Sequence, residues 1–359
     1  MTRLTRADLE ALPAYVAGRN VADLAKELGL TEAIKLASNE VAYGPLPGVP
    51  EAVARAVQDS HRYPDMGVAV LRDKLAERYG VAADRIVTGC GSVALAEILA
   101  KSTCLPGDEI VYSWRSFEAY PIIAAGVGAT SVRVANTAEH GHDLTAMAEA
   151  ITDRTRLAIV CNPNNPTGTS VRKQELDRFL DAVPSDVLVV LDEAYREFVT
   201  DEQVPDALAT YGDRPNVVVL RTLSKAWGLA GLRVGFLVAQ PAVAAAIRKV
   251  VTPFSTSLVA QAAALAALDA EAEVTRRCAL VVAERERVTE ALRKLSVEVP
   301  TSQANFVWLP LADKAAAFGA ACEARGVIVR PFQPDGVRVT IGLPEENDAF
   351  LAAAEAALL

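Results

Sequence analysis

The sequence predicts an α/β fold: a three-layer αβα large domain around a mostly parallel sheet, plus a smaller α+β domain. Two observations carry this. From about residue 84, strand-like and helix-like segments alternate, and several strands are continuous apolar runs such as VLVV and NVVVL. Runs of that kind are expected where helices cover both faces of a parallel sheet. After Pro241 the texture changes to Ala-rich helical stretches, then short strands and a last helix. A length of 359 residues suits about two domains, with expected limits of 36–240 for the large one and 1–35 with 241–359 for the small one.

Taken in order, DRIVTGC reads as a strand, SVALAEILAKST as a helix, DEIVYSW as a strand, and Phe117 to Gly126 as a helix. TSVRVA and TRLAIVCN are strands, each followed by a helix, DLTAMAEAI and RKQELDRFLDAV. DVLVVLDE, NVVVLRTL and LRVGFLVA are three further strands. Helical sequence then runs from Ala242 to about Lys294, followed by strands in ANFVWLP, GVIVRPF and GVRVTIG and a helix from about Pro344. The first 35 or so residues are expected to pack with the small domain.

Composition narrows the function. Hydrophobic residues make up 51% and charged residues 23%, as in soluble globular proteins. No apolar run reaches the roughly 18 residues of a membrane helix, and MTRLTRADLEALPAY lacks a secretory apolar core, so a cytoplasmic location is expected. A net charge of −9 without a basic cluster argues against nucleic acid. The five cysteines (Cys90, Cys104, Cys161, Cys278, Cys322) are scattered and odd in number, which suits reduced, mostly buried thiols. His61, His140 and His142 form no zinc pattern with them, no metal is expected, and AEHGHDL reads as a surface loop.

GCGSVA follows a strand and opens a helix, fitting the dinucleotide fingerprint G-x-G-x-x-A. That reading needs an acid at the end of the next strand. Asp108 and Glu109 stand at its beginning instead. What survives is a Gly-rich turn into a helix N-terminus, which offers free N–H groups to a phosphate, with Ser92 adding a hydroxyl. A plain structural turn remains the alternative.

Three further segments carry chemistry. CNPNNPTG ends a strand; its residues favour a turn, but the three asparagines and two prolines are more than a turn needs. In LDEAYREF, Asp192 follows an apolar run, where a bare carboxylate is costly to bury. It is either a helix N-cap or the partner of a cationic ring nitrogen, and Tyr195 can present its hydroxyl to the same place. RTLSKAWGLAGLRVGF sets Lys225 beside Thr222 and Ser224, with Arg233 eight residues on. Lys225 is either a solvated loop lysine or a nucleophile with a lowered pKa, and Arg233 can clamp a phosphate bidentately. A carboxylate, a phosphate site and an activated lysine are together what pyridoxal phosphate requires.

In that order, NPNNPTG, DEAY and TLSKAWGLAGLRVGF resemble the fold-type I aminotransferases of class I/II, with 27 residues from Asn165 to Asp192. The resemblance covers nearly the whole chain. SNEVAYGPLP and HRYPDMG look most like the histidinol-phosphate aminotransferase subgroup; within it, GCGSVAL, WRSFEAYP and TSQANFVWLP look most like the actinobacterial aromatic amino acid (phenylalanine) aminotransferases. The resemblance implies pyridoxal 5'-phosphate held covalently by Lys225, which also acts as general base on the donor Cα–H. Asp192 would pair with the ring nitrogen, and Asn165 and Tyr195 would bond the ring oxygen. Phe117 would stack on the ring, Trp114 being the weaker candidate. Ser92 and Val93 backbone, Thr222, Ser224 and Arg233 would hold the phosphate, with Tyr63 reaching it from a neighbouring subunit of a homodimer that shares its active sites. Arg338 would grip the substrate α-carboxylate, and Asn39 would lie near the substrate.

The substrates implied are an amino acid donor and an oxo acid acceptor, 2-oxoglutarate. Tyr15 and Arg330 stand where histidinol-phosphate enzymes bind the substrate phosphate, which keeps that substrate open. Phe117, Trp114, Tyr15 and Phe332 favour an apolar, aromatic-lined pocket and an aromatic amino acid, leaving Arg330 for the acidic side chain of glutamate. A β-lyase on the same fold is a further alternative.

Overall fold

The computed structural model describes residues 20–30 and 33–358. Its strands are β1 (Ile34–Lys35), β2 (Ile86–Gly89), β3 (Glu109–Trp114), β4 (Thr130–Ala135), β5 (Thr155–Cys161) and β6 (Leu188–Asp192), then β7 (Val217–Thr222), β8 (Gly235–Val238), β9 (Phe306–Leu309), β10 (Val327–Ile328), β11 (Arg330–Phe332) and β12 (Gly336–Thr340). The main sheet has seven strands in the order β2-β8-β7-β6-β5-β3-β4. From β4 to β7 all neighbours run parallel, whereas β8 is antiparallel to both β7 and β2.

The apolar runs are the central strands. β7 is buried at every position, while the edge strand β4 has only exposed and half-buried residues. Because side chains alternate across a sheet, successive residues feed two separate cores. Ala158, Val160, Val189, Leu191, Val217 and Val219 join one; Leu157, Ile159, Val190, Val218 and Leu220 join the other.

Strand order reverses between β3 and β5, since β4 lies outside β3 and β6 and β7 lie on the far side of β5. Ligands of open α/β sheets bind beyond the carboxyl ends of strands at such a switch point. Cys161 pairs with Asp192, which pairs with Leu220, so β5 and β6 end level and β7 runs on beyond them to Thr222.

A second sheet, β11-β12-β9, is antiparallel. Two expectations about the later chain change in detail. GVIVRPF is two strands: Val327–Ile328 pairs in parallel with β1, and beyond Val329 the chain switches to pair with β12. The helical stretch is three helices, Pro241–Arg248, Leu258–Asp269 and Glu271–Lys294. Pro253 lies in the first gap, and Ser257 caps the second helix through Ala260 N–H. Among the described residues, no helix is long and apolar enough to cross a membrane.

His142 corrects the surface-loop expectation. It is buried, with Nε2 2.7 Å from the Cys161 carbonyl, and burial lowers its pKa to about 4, so the ring is neutral and serves as a tie. Among the cysteines, Cys90 is exposed and the other four are buried free thiols.

Candidate active site

Asp192 is the last residue of β6 and caps no helix: the short 3₁₀ turn that follows, Arg196–Phe198, has Tyr195 at its N-cap. Strand alternation points Asp192 and Thr222 toward the core side occupied by Leu220 and Tyr120, while Glu193 and Arg221 face the opposite core and form a buried ion pair at 2.7 Å. Asp192 Oδ2 accepts a 2.8 Å bond from the Tyr120 hydroxyl. Oδ1 is buried and has no hydrogen-bond partner among the described residues. Burial pushes the carboxyl up to about 6, a rise that the Tyr120 bond moderates.

A cavity of about 230 Å³ opens over this carboxylate. Ser38, Asn39, Ser92, Val93, Phe117, Asn165, Asp192, Tyr195, Thr222, Ser224, Lys225, Arg233, Arg330 and Arg338 all line it, so residues up to 300 apart in sequence converge. Phe117 lines it and Trp114 does not; the Trp114 ring is in contact with the guanidinium groups of Arg115 and Arg133, 4.9 and 4.6 Å from its centroid. Tyr63 is 81% exposed, outside this cavity, and stacks on Phe254 with ring centroids 4.5 Å apart. Tyr15 lies outside the described residues.

Lys225 Nζ donates to the Ser38 carbonyl at 3.2 Å. Burial, then the nearby cation Arg338, with Arg233 adding to it, brings its pKa down to about 7 against the opposing pull of Glu40. A neutral amine is therefore accessible near neutral pH, as a nucleophile requires.

The asparagines of CNPNNPTG divide their work. Asn162 ties both the N–H and the carbonyl of Val171, and Asn164 bonds Ser116 and Thr167, which fixes the turn. Asn165 reaches the cavity and accepts from Arg338 Nη1 at 2.6 Å. Asn39, at a φ of 53°, donates to the Tyr195 hydroxyl at 2.9 Å and is itself held by Thr340 and Asn305. Burial raises the Tyr195 pKa, keeping the phenol protonated.

At the other end, the helix Gly91–Thr103 starts without a side-chain cap, so its first N–H groups and dipole favour an anion. Arg233 lies against that turn: a Cβ on Gly91 would stand 2.5 Å from Arg233 Nη2. Arg233 also donates to Ser224 Oγ at 3.2 Å, and Thr222 Oγ1 accepts from Ser224 N–H at 3.0 Å.

Arg330 and Arg338 are directly paired residues of β11 and β12, so their side chains leave the same sheet face. Arg338 also donates to the Ala37 carbonyl at 2.6 Å. Arg330 pairs with Glu118 at 3.0 Å. Sequence reasoning missed Glu118 and Tyr120, although both lie in WRSFEAYP; a glutamate inside so aromatic a segment was the available signal. It also missed the Glu193–Arg221 pair, for which nothing local stands out.

Residues 31–354 match the family model for aminotransferase class I and II. The chain belongs to this family. It is 57% identical to an aromatic amino acid aminotransferase of Streptomyces avermitilis, covering 98% of this chain and 96% of the relative. It is 56% identical to one of Rhodococcus jostii, covering 98% and 95%. Among solved structures, the histidinol-phosphate aminotransferase of Sinorhizobium meliloti in complex with pyridoxal-5'-phosphate matches with a TM-score of 0.90 at 27% identity, covering 100% of this chain and 98% of that one. An aspartate aminotransferase of Thermus thermophilus shares the fold, with a TM-score of 0.82 at 22% identity over 99% of this chain and all of that one. The fold is therefore that of the fold-type I aminotransferases, enzymes acting on small amino and oxo acids, and the family implies pyridoxal phosphate as cofactor. The buried, unpartnered Asp192 Oδ1 fits a protonated ring nitrogen, and the uncapped helix with Arg233 fits a phosphate.

Proposed function

We propose that this chain transfers the amino group of an aromatic L-amino acid to 2-oxoglutarate, with pyridoxal 5'-phosphate as cofactor. The observation that carries the substrate is the side-chain end of the cavity, where the Phe332 ring lies 5.4 Å from the guanidinium of Arg330, an arginine already paired with the Glu118 carboxylate. The relatives named aromatic amino acid aminotransferases support the same reading.

Bound pyridoxal phosphate supplies the electron sink that makes the donor Cα–H acidic. Lys225 Nζ would hold the cofactor at rest and, once released as a free amine by the incoming donor amine, would carry the proton away from the donor Cα. The Asp192 carboxylate keeps a proton on the ring nitrogen. Asn165 and Tyr195 orient the ring oxygen, with Asn39 fixing the Tyr195 hydroxyl. Phe117 covers the ring face. Ser92, Val93, Thr222, Ser224 and Arg233 bind the phosphate, and Arg338 grips the α-carboxylate while Phe332 meets the aromatic side chain. The working unit is a homodimer in which the partner subunit's Tyr63 completes the phosphate site; the exposure of Tyr63 supports this.

The test compares kcat/KM for phenylalanine, tyrosine and histidinol phosphate with 2-oxoglutarate in excess. Aromatic acids are expected to lead by a wide margin. A lead for histidinol phosphate would overturn the substrate assignment and make Arg330 a phosphate ligand.

A further inference from the structure

We infer that Glu118 determines specificity: by holding Arg330 it makes the side-chain end of the cavity accept neutral rings readily, a dicarboxylate by exchange, and a phosphate-tailed substrate poorly. The inference rests on the aromatic aminotransferase reading and deepens it.

The argument begins with register. Arg330 and Arg338 stand opposite one another across two antiparallel strands, and both guanidinium groups lie over the Phe332 ring, 5.4 and 5.3 Å from its centroid. Like charges directly opposite are unfavourable. Glu118, from the segment after β3, meets one of them, with Oε2 3.0 Å from Arg330 Nη2. The Arg330 side chain is 15% exposed and that of Glu118 31%, so solvent screens the pair less than it would a surface pair. Both residues line the cavity, as do Phe117 and Phe332. The carboxylate is therefore within the space that receives the substrate side chain.

Three outcomes follow by charge. A phenyl or phenol ring lies along Phe332 and leaves the ion pair intact. The distal carboxylate of 2-oxoglutarate carries one negative charge and can replace Glu118 on Arg330, so a single cation serves both half-reactions. A phosphate monoester brings close to two negative charges, so its repulsion from the Glu118 carboxylate, which stays beside the cavity when displaced, is about twice that of a single carboxylate. Like-charge juxtaposition of this kind discriminates strongly in a partly dry site.

The experiment uses the holoenzyme and four chains: wild type, E118Q, R330M and the double variant. Steady-state kinetics are measured with phenylalanine, histidinol phosphate and 2-oxoglutarate. E118Q is expected to raise the kcat/KM ratio of histidinol phosphate to phenylalanine by about tenfold or more, chiefly through KM, and to lower the KM for 2-oxoglutarate. In the R330M background the same change should move the ratio less than about twofold, because the effect passes through Arg330. An unmoved ratio in E118Q, or an equal shift with Arg330 absent, overturns the inference. E118D keeps the charge and should keep the wild-type ratio; Glu118→Ala repeats the test if E118Q does not accumulate as folded holoenzyme. A wild type that itself prefers histidinol phosphate would sink the aromatic reading instead, since the Glu118 effect is read as variant against wild type.

Discussion

Asp192 and Glu193 are consecutive carboxylates that strand alternation sends to opposite faces, and their fates differ. Glu193 meets Arg221 and the Ala207 N–H. Asp192 meets the Tyr120 hydroxyl through one oxygen and no cation, and burial raises it from 3.8 to about 6 against the pull of the Tyr120 and Ala194 hydrogen bonds. A raised carboxyl pKa means that the folded chain keeps its proton after the unfolded chain has lost it. That stabilisation is full below about 3.8 and is lost as pH rises through about 6. Near pH 8 the ionised group then costs on the order of 3 kcal/mol in the cofactor-free protein. Asp192→Asn removes the charge but leaves an amide N–H to satisfy, so the cofactor-free variant should gain about 1–2 kcal/mol at pH 8 and nothing near pH 4. Urea unfolding of both chains at the two pH values reads this directly. Holoenzyme activity should fall by about a hundredfold or more, as expected when a preorganised charge is removed. A variant less stable than wild type at pH 8 would sink the view of Asp192 as a functional cost to stability.

The helix Gly91–Thr103 and strand β8 meet through glycines, and this contact builds the anion end of the cavity. A Cβ on Gly91 would crowd the tip of Arg233, a side chain that can move, at a residue whose φ is +80°. A Cβ on Gly235 would come within 2.5 Å of the Ser92 backbone nitrogen, which cannot yield without shifting the helix. Gly91→Ala should therefore weaken pyridoxal phosphate binding by about tenfold with a backbone strain of about 1 kcal/mol, whereas Gly235→Ala should cost more stability. Cofactor titration and thermal unfolding of both variants separate the two effects; equal losses in both assays would contradict the geometry. Elements of this kind were legible in part. The central strands announced themselves because strands buried on both faces must be apolar throughout, and the turn at Gly89–Gly91 was visible as a helix start. The division of GVIVRPF was not, because its halves differ only in which distant strand they pair with. His142 was misread because a polar neighbourhood in sequence hid a single buried tie to Cys161. The meeting of Lys225, Asp192, Asn165, Arg233 and Arg338 in one cavity was legible through their motifs. Glu118 was not, since its importance comes from the Arg330–Arg338 register and not from its own segment.

At the scale of the whole molecule, one apolar cluster runs from Val189 and Leu191 beneath the main sheet to Val337, Val339 and Phe350 near the C-terminus, so both walls of the cavity share a core. Each chain therefore brings together nearly every proposed site residue by itself. Among the described residues Tyr63 is the exception: it is 81% exposed and near other exposed apolar side chains, Met66 at 63% and Phe254 at 38%. If the partner subunit's Tyr63 serves each site, two defects can complement. Lys225→Ala chains lack the essential amine, and Tyr63→Ala chains lack the phosphate contact. A hybrid dimer of the two places an intact Lys225 and an intact Tyr63 in one site and both defects in the other. Mixing the variants under conditions that exchange subunits should therefore restore wild-type cofactor affinity at one site per hybrid dimer, with turnover to match. If Tyr63 acts within its own chain, or if the protein remains a monomer by sedimentation, no mixture can contain an intact site and the affinity of the Tyr63→Ala chain will not change on mixing.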